Sequence, residues 1–169
     1  MQVPSGARAV IIGGGVVGCS IAYHLGKLGW RDVVLLERKQ LTCGTTWHAA
    51  GLIAQLRATQ NMTRLAKYSQ ELYFGLEAET GVATGFKRNG SITVALTDER
   101  MEELRRSAAM ARAFGVEIDE ITPGDIASRY PGLMTDDAVG GVWLPKDGQA
   151  APVSITQALG KGARNFGAS

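Results

Sequence analysis

The N-terminal part of the chain alternates apolar and polar residues in an order typical of a strand, a helix and a second strand. Two short apolar runs, Ala9 to Ile12 and Val33 to Leu36, flank a segment of roughly fifteen residues whose apolar positions recur at helical spacing. The recurring positions are Ile21, Ala22, Leu25 and Leu28. Gly29 follows them and fits a helix C-terminus. The pattern therefore predicts a βαβ unit with a right-handed parallel crossover.

An irregular segment from Arg38 to about Gln60 precedes a long amphipathic pattern. A loop of this length inside a compact domain usually has a function. A helix is predicted from near Asn61 to near Gly81, with an apolar stripe that serves packing. The stripe consists of Met62, Leu65, Ala66, Leu72, Tyr73 and Leu76.

Turn and capping signals divide the rest of the chain into shorter elements. Phe86 to Leu96, with Asn89-Gly90 inside it, predicts two short antiparallel strands. The later predicted elements are a helix capped by Thr97 that ends near Gly115, a short helix from Thr122 to Pro131, a strand from Val139 to Leu144 and a helix from Pro152 to about Phe166. The residues predicted to face inward are Met101, Leu104 and Ala108 in the first of these helices and Ile155, Leu159 and Ala163 in the last. The expected fold is α/β: a βαβ unit with a parallel sheet, then part of an antiparallel sheet.

Composition narrows the class of protein. With 45% hydrophobic and 20% charged residues and a net charge of +2, the chain is expected to be globular rather than disordered. Its basic residues are scattered, so neither a nucleic-acid nor an anionic-membrane partner is expected. The N-terminus predicts neither a signal peptide nor a membrane span. Cys19 and Cys43 form neither a disulfide framework nor a metal-binding spacing, so the expected setting is reducing and cytoplasmic, without a metal.

The strongest chemical signal is a glycine-rich motif between the first predicted strand and helix. Its six residues, GGGVVG, match the pattern G-x-G-x-x-G. Gly13 makes the tight turn, Gly15 lets the backbone approach a pyrophosphate, and Gly18 lets helix and strand pack closely. The helix N-terminus, with its free N–H groups, then favours phosphate without a basic side chain. The predicted phosphate-binding residues are Gly13, Gly15, Val16, Val17 and Gly18.

Glu37 stands at the end of the second predicted strand, nineteen residues after Gly18. A carboxylate there can accept hydrogen bonds from both ribose hydroxyls and disfavours a 2′-phosphate, which argues against NADP. The alternative is a solvated acid at a strand end. The βαβ unit itself does not distinguish NAD from FAD, since both contain ADP.

The stretch from Val10 through Glu37 and on through GTTWHAAG, Gly44 to Gly51, closely resembles the D-amino-acid-oxidase-like superfamily of FAD-dependent oxidoreductases. Within it, the GTTWHAAG loop resembles the sarcosine and dimethylglycine dehydrogenase family. The resemblance continues through Glu79-Thr80-Gly81, Asn89-Gly90-Ser91 and Asp147-Gly148. It implies a Rossmann-type FAD-binding domain with part of an antiparallel substrate domain.

The resemblance also implies a flavin attachment. In the family the histidine of this loop is bonded to the 8α-methyl of the flavin, and the matching residue here is His48. A neutral imidazole is a suitable nucleophile for that carbon. The alternative is a loop histidine that packs on Trp47, which could itself lie beside the flavin or fill the core. Further residues implied to meet the cofactor are Arg38, Gly44, Thr45, Thr46 and Gly51.

Members of this family transfer a hydride from an N-methyl amino acid, such as sarcosine or dimethylglycine, to flavin, which gives an iminium and then formaldehyde. The resemblance therefore implies a small-molecule amine substrate and an electron acceptor that the sequence does not identify. No catalytic residue is identified within the chain. Tetrahydrofolate would enter only through a C-terminal domain outside it.

The resemblance divides the chain into residues 1–81 and 149–169 of the FAD-binding domain and residues 82–148 of the substrate domain. The last predicted helix should feed another strand, so the chain is interpreted as an N-terminal fragment, expected to be inactive alone. Two alternatives stay open: another FAD-dependent amine or amino-acid oxidase of the same superfamily, and a nucleotide-binding module without redox chemistry.

Overall fold

The computed structural model describes residues 4–169, and its first elements form the expected βαβ unit. Strands β1 (Ala9–Ile12) and β2 (Val33–Leu36) are parallel, with Ala9 opposite Val33, and helix α1 (Val16–Lys27) connects them. The parallel βαβ prediction is confirmed.

The buried face of α1 consists mainly of small residues. Its members are Gly18, Cys19, Ala22, Tyr23 and Gly26, and all but Tyr23 are small. They pack against the last helix, α5 (Pro152–Asn165). A Cβ on Gly162 would lie 2.7 Å from the Tyr23 ring, so the helices approach this closely because a glycine is present. The predicted apolar stripe is partly wrong, since Ile21 and Leu28 are 46% and 77% exposed.

The long irregular segment contains a 3-10 helix (Thr46–His48) and a short strand, β3 (Leu52–Ile53). Helix α2 (Gln60–Thr80) follows, close to its predicted bounds. Its buried positions are largely polar and include Thr63, Gln70 and Thr80, whereas Met62 and Leu65 of the predicted stripe are more than half exposed. Burial of Gln70 is compatible with its polarity because Gln55 Nε2 donates to its amide oxygen at 2.6 Å.

Three further strands form an antiparallel sheet in the order β4-β6-β5. They are β4 (Ser91–Ala95), β5 (Asp119–Ile121) and β6 (Gly140–Leu144), and β7 (Gly148–Gln149) pairs separately with β3. The hairpin predicted within Phe86 to Leu96 is wrong. Lys87, before the turn at Gly90 (φ +73°), pairs with Gln149, whereas β4, after the turn, pairs with β6.

Helix α3 (Asp98–Ala113) packs on one face of this sheet and carries its core. The predicted inward residues Met101, Leu104 and Ala108 are buried. Helix α4 (Pro123–Arg129) begins with a complete capping box, in which Thr122 Oγ1 accepts from Asp125 N–H and the Asp125 carboxylate accepts from Thr122 N–H. Helix α3 is likewise capped by Thr97, whose Oγ1 accepts from Arg100 N–H at 3.2 Å, so both helix starts are specified by local sequence.

The described residues form two compact units. One contains the chain up to Gly51 together with Glu71–Phe86 and Ala150–Ser169, and thus the βαβ unit and α5. The other contains Leu52–Gln70 and Lys87–Gln149, and thus the antiparallel strands. The domain boundaries predicted from the sequence, 1–81, 82–148 and 149–169, stay a prediction. Over residues 4–169, no helix is long and apolar enough to cross a bilayer.

Candidate dinucleotide-binding site

The glycine motif forms the turn between β1 and α1. Gly13 has φ +109°, a conformation that favours glycine, and its N–H donates to Leu36 O at 2.8 Å. A Cβ on Gly18 would lie 1.9 Å from Gly13 O, so only glycine fits there. The turn and the close approach expected of the motif are both present.

Helix α1 begins without a side-chain cap of its own, because its N-cap residue is Gly15. Within residues 4–169, no acceptor binds the N–H groups of Gly15, Val17 and Gly18. Val17 is also 69% exposed. Free donors at the positive end of a helix dipole suit an anionic ligand such as a pyrophosphate.

Glu37 lies beside this helix start, at the end of β2. Its Oε2 accepts from Gly14 N–H at 2.8 Å, and its Oε1 accepts from Lys39 N–H at 3.1 Å and from the Cys43 thiol at 3.5 Å. These bonds, above all the one from Gly14, lower the pKa of Glu37 below its usual range. The carboxylate is thus ionised at neutral pH next to the glycine turn.

The loop after β2 is fastened to the glycine turn. Thr42 N–H donates to Gly14 O at 2.9 Å, and Thr42 has φ +74°, which is unusual for a residue with a side chain. Val16 N–H donates to Thr46 Oγ1 at 3.0 Å, although the two residues are 30 positions apart. The predicted site residues from Gly13 to Gly18, Glu37 and Thr46 are therefore brought together.

His48 ends the 3-10 helix and is exposed. Its ring stacks on that of Trp47, with 3.7 Å between centroids and 33° between planes. Trp47 was expected either to lie beside the flavin or to fill the core. It is 57% exposed, so it does not fill the core of its unit. His48 is therefore an exposed residue whose ring is in contact with Trp47.

The other predicted loop residues differ in placement. Gly51 has φ +83°, a conformation that favours glycine, and its carbonyl accepts from Ala150 N–H at 2.9 Å. A glycine at this position therefore serves the backbone conformation of the loop. Arg38, Gly44 and Thr45 are exposed. Over the described residues, no group of three His, Cys, Asp or Glu side chains could hold a metal ion.

Sequence reasoning missed two contacts at this site. One is the thiol of Cys43 on Glu37, and the other is the cap that Thr46 supplies to α1. No local spacing marks the second contact, since it joins residues far apart in the chain. Thr46 entered the prediction only through the resemblance of its loop.

The residues present fit the ADP part of FAD. Free N–H groups stand where phosphates would be held, Gly15 carries no side chain that would obstruct them, and an ionised carboxylate lies alongside. The roles of the single residues toward the cofactor stay predictions.

Comparison with curated proteins gives relatives that cover nearly all of the chain. Dimethylglycine dehydrogenase, mitochondrial, from Rattus norvegicus is 45% identical over 161 residues, which are 95% of this chain and 19% of the relative. Sarcosine dehydrogenase, mitochondrial, from Homo sapiens is 40% identical over 98% of this chain and 18% of the relative. The pyruvate dehydrogenase phosphatase regulatory subunit, mitochondrial, from Mus musculus is 38% identical over 99% of this chain and 19% of the relative. The chain thus spans about a fifth of their length.

Among solved structures, L-proline dehydrogenase from P. horikoshii superposes with a TM-score of 0.92 at 30% identity. The match covers 99% of this chain and 44% of that one. The α/β fold, with its Rossmann-type unit and antiparallel strands, is therefore confirmed. The family of FAD-dependent oxidoreductases known as DAO matches residues 8–169. By its sequence, its fold and its glycine turn, the chain belongs to the DAO family of FAD-dependent oxidoreductases.

Proposed function

We propose that this chain supplies the ADP-binding half of an FAD-dependent enzyme that oxidises the N-methyl group of an amino acid such as sarcosine or dimethylglycine. One observation carries the cofactor part: the open start of α1 lies beside the ionised carboxylate of Glu37. The names of the two dehydrogenase relatives support the substrate class. The electron acceptor is not assigned, and any tetrahydrofolate would bind outside residues 1–169.

In this proposal the chain's own groups bind and orient the cofactor. The N–H groups of Gly15, Val17 and Gly18 hold the pyrophosphate, and Glu37 accepts from the ribose hydroxyls. The resemblance of the loop to the family supports further polar contacts from Arg38, Thr45 and Thr46. Bound FAD supplies the hydride acceptor, its ring atom N5.

His48 is proposed to hold the flavin covalently. The bond would join an imidazole nitrogen of His48 to the 8α-methyl carbon. The N–H hydrogen, one methyl hydrogen and two electrons would pass in the end to dioxygen or another two-electron oxidant. The exposure of His48 supports this role.

Acid denaturation of the whole protein tests the bond. Flavin fluorescence should stay with the polypeptide on a denaturing gel, and His48→Ala should release it while the protein still binds FAD. His24→Ala is the matched control, since His24 lies on α1 and bonds to Ser20 O. Free flavin from the unchanged protein would contradict the proposal for His48.

A second function is favoured by one relative whose name describes a regulatory subunit rather than an oxidoreductase. In that case the nucleotide would be bound without amine oxidation. Dye reduction by the whole protein separates the two functions. Reduction with dimethylglycine or sarcosine supports the enzyme, reduction with another amine only supports a different oxidase, and FAD binding without reduction by any amine supports the regulatory module.

The cytoplasmic location stays a proposal as well. It rests on the two separate cysteines, of which Cys19 is buried and Cys43 lies in the loop. The three relatives compared above carry the word mitochondrial in their names. Fractionation of cells that express the whole protein decides between the two compartments.

A further inference from the structure

Helix α1 differs from other helices of the chain in the source of its cap. Helices α3 and α4 are capped by Thr97 and Thr122, each of which accepts from the N–H three residues later. At α1 the N-cap residue is Gly15, and the first helical N–H, that of Val16, donates instead to Thr46 Oγ1. The cap thus comes from the GTTWHAAG loop.

The capping threonine belongs to the same turn as His48. Thr46 is 8% exposed and is the first residue of the 3-10 helix that His48 ends. His48 N–H donates to Thr45 O at 3.1 Å, and Ala49 N–H donates to Thr46 O at 3.2 Å. Because only one residue separates Thr46 from His48, fixing the hydroxyl of Thr46 also fixes the backbone that carries the imidazole.

The glycine motif makes this contact sterically feasible. A Cβ on Gly15 would lie 3.0 Å from Thr46 Oγ1, so a side chain there would crowd the hydroxyl. A second bond, from Thr42 N–H to Gly14 O, fastens the chain two residues before the GTTWHAAG loop begins. The segment that leads into the loop and the loop itself are therefore both held to the glycine turn.

We propose that Thr46 is a positioning residue that couples the phosphate-binding turn to His48. Its hydroxyl fixes the 3-10 helix on the start of α1, so that the imidazole is placed relative to the same backbone that holds the pyrophosphate. The inference rests on the proposed covalent role of His48. It assigns to Thr46 a function in attachment that is separate from any contact with the cofactor itself.

The test compares Thr46→Val and Thr46→Ser in the whole protein, with Thr97→Val as the matched control. Valine keeps the shape of threonine but removes the hydroxyl, and Thr97→Val likewise removes the cap of a helix that is remote in sequence. At saturating FAD, Thr46→Val should slow covalent attachment to the apoprotein by about tenfold or more, since misplaced reacting groups lose rate steeply. Thr46→Ser and Thr97→Val should attach flavin at nearly the parent rate.

Two comparisons distinguish positioning from binding and from general destabilisation. In a His48→Ala background, Thr46→Val should change the FAD dissociation constant far less than it changes the attachment rate. Hydrogen exchange of the apoprotein should become faster at Val16 and at residues 46–49 in Thr46→Val, but not in Thr97→Val. The second measurement does not require flavin.

Each contrary result identifies which idea is wrong. A parent protein without covalent flavin overturns the bond at His48 and the positioning role with it. Covalent flavin in the parent, together with an unchanged attachment rate or unchanged exchange in Thr46→Val, overturns only the role of Thr46. An equal loss in Thr46→Ser overturns it too, because serine retains the hydroxyl.

Discussion

The starts of helices α1 and α4 show two ways to satisfy the N–H groups of a first turn. At α4, Thr122 and Asp125 cap each other within four residues. At α1, Gly15 offers no side chain, and the two side chains that accept from this region within residues 4–169, Glu37 and Thr46, come from far along the chain. The α4 start is closed by its own sequence, whereas the α1 start is partly open.

This difference is the one expected if the start of α1 binds an anion and the start of α4 does not. A helix that serves only the fold gains from a local cap, whereas a helix that binds an anion needs free donors and space in front of them. The departure of α1 from the local rule is thus the expected property of a binding site.

The largest expected effect comes from a methyl group inside the first turn of α1. Gly18→Ala would bring a Cβ to 1.9 Å from the backbone oxygen of Gly13, which cannot move without disrupting the turn. We expect a loss of about 3 kcal/mol in the free energy of unfolding, measured by urea denaturation, because overpacking against backbone is costly.

The corresponding change at α4 is the control. The nearest heavy atom to a Cβ on Gly124 is Thr122 Oγ1 at 3.7 Å, an ordinary contact. Gly124→Ala should therefore leave stability unchanged or raise it by up to about 1 kcal/mol. Equal losses at the two positions would refute the proposed contrast.

The next effect concerns the two carboxylates. Glu37→Ala should weaken FAD binding by the whole protein by about tenfold to a hundredfold, because the proposed charged acceptor for the ribose is lost. Asp125→Ala should leave FAD affinity unchanged, since that carboxylate serves only α4. Fluorescence titration of the apoprotein in a His48→Ala background, where no bond to the flavin forms, measures both. Equal affinities with and without Glu37→Ala would remove Glu37 from the site.

A smaller effect is expected from the cap of α4. Thr122→Ala removes the hydroxyl that accepts from Asp125 N–H and should cost about 1 kcal/mol of stability. FAD affinity should not change. A loss below the error of urea denaturation would show that the capping box is of little importance for the fold.

The smallest effect is a dependence of stability on pH. Bonds from Thr122 lower the pKa of Asp125, and the bond from Gly14 lowers the pKa of Glu37. A lowered carboxyl pKa stabilises the folded chain above the ordinary value of about 4, and this stabilisation is lost as pH falls through the lowered pKa. Urea midpoints from pH 6 to about pH 2.5 should fall less steeply for Asp125→Asn than for the parent. Identical slopes would contradict the lowered pKa of Asp125.

The local signals allowed much of the fold to be predicted. Thr97 and the Thr122-Pro123 pair were recognised as helix starts, because caps act within a few residues. The glycine turn and Glu37 were recognised for the same reason, since their spacing is fixed by one βαβ unit.

What could not be predicted depends on distant partners. The hairpin around Asn89-Gly90 is absent because Lys87 pairs with Gln149, a partner that no turn signal indicates. Strand β5 was not recognised because two of its three residues, Asp119 and Glu120, are exposed acids. The sequence mispredicts the buried face of α1 because, apart from Tyr23, small residues rather than large apolar ones pack there against α5.

The packing of α1 on α5 also has a consequence for the order of synthesis. The strands and the glycine turn are complete once Leu36 has been made, but the helix that covers α1 ends at Asn165. At roughly 5 to 20 residues per second, a ribosome needs on the order of ten seconds to cross that interval. During this time the nascent βαβ unit lacks α5, so the small residues of α1 that α5 covers in the folded chain stay uncovered by it until that helix has been made.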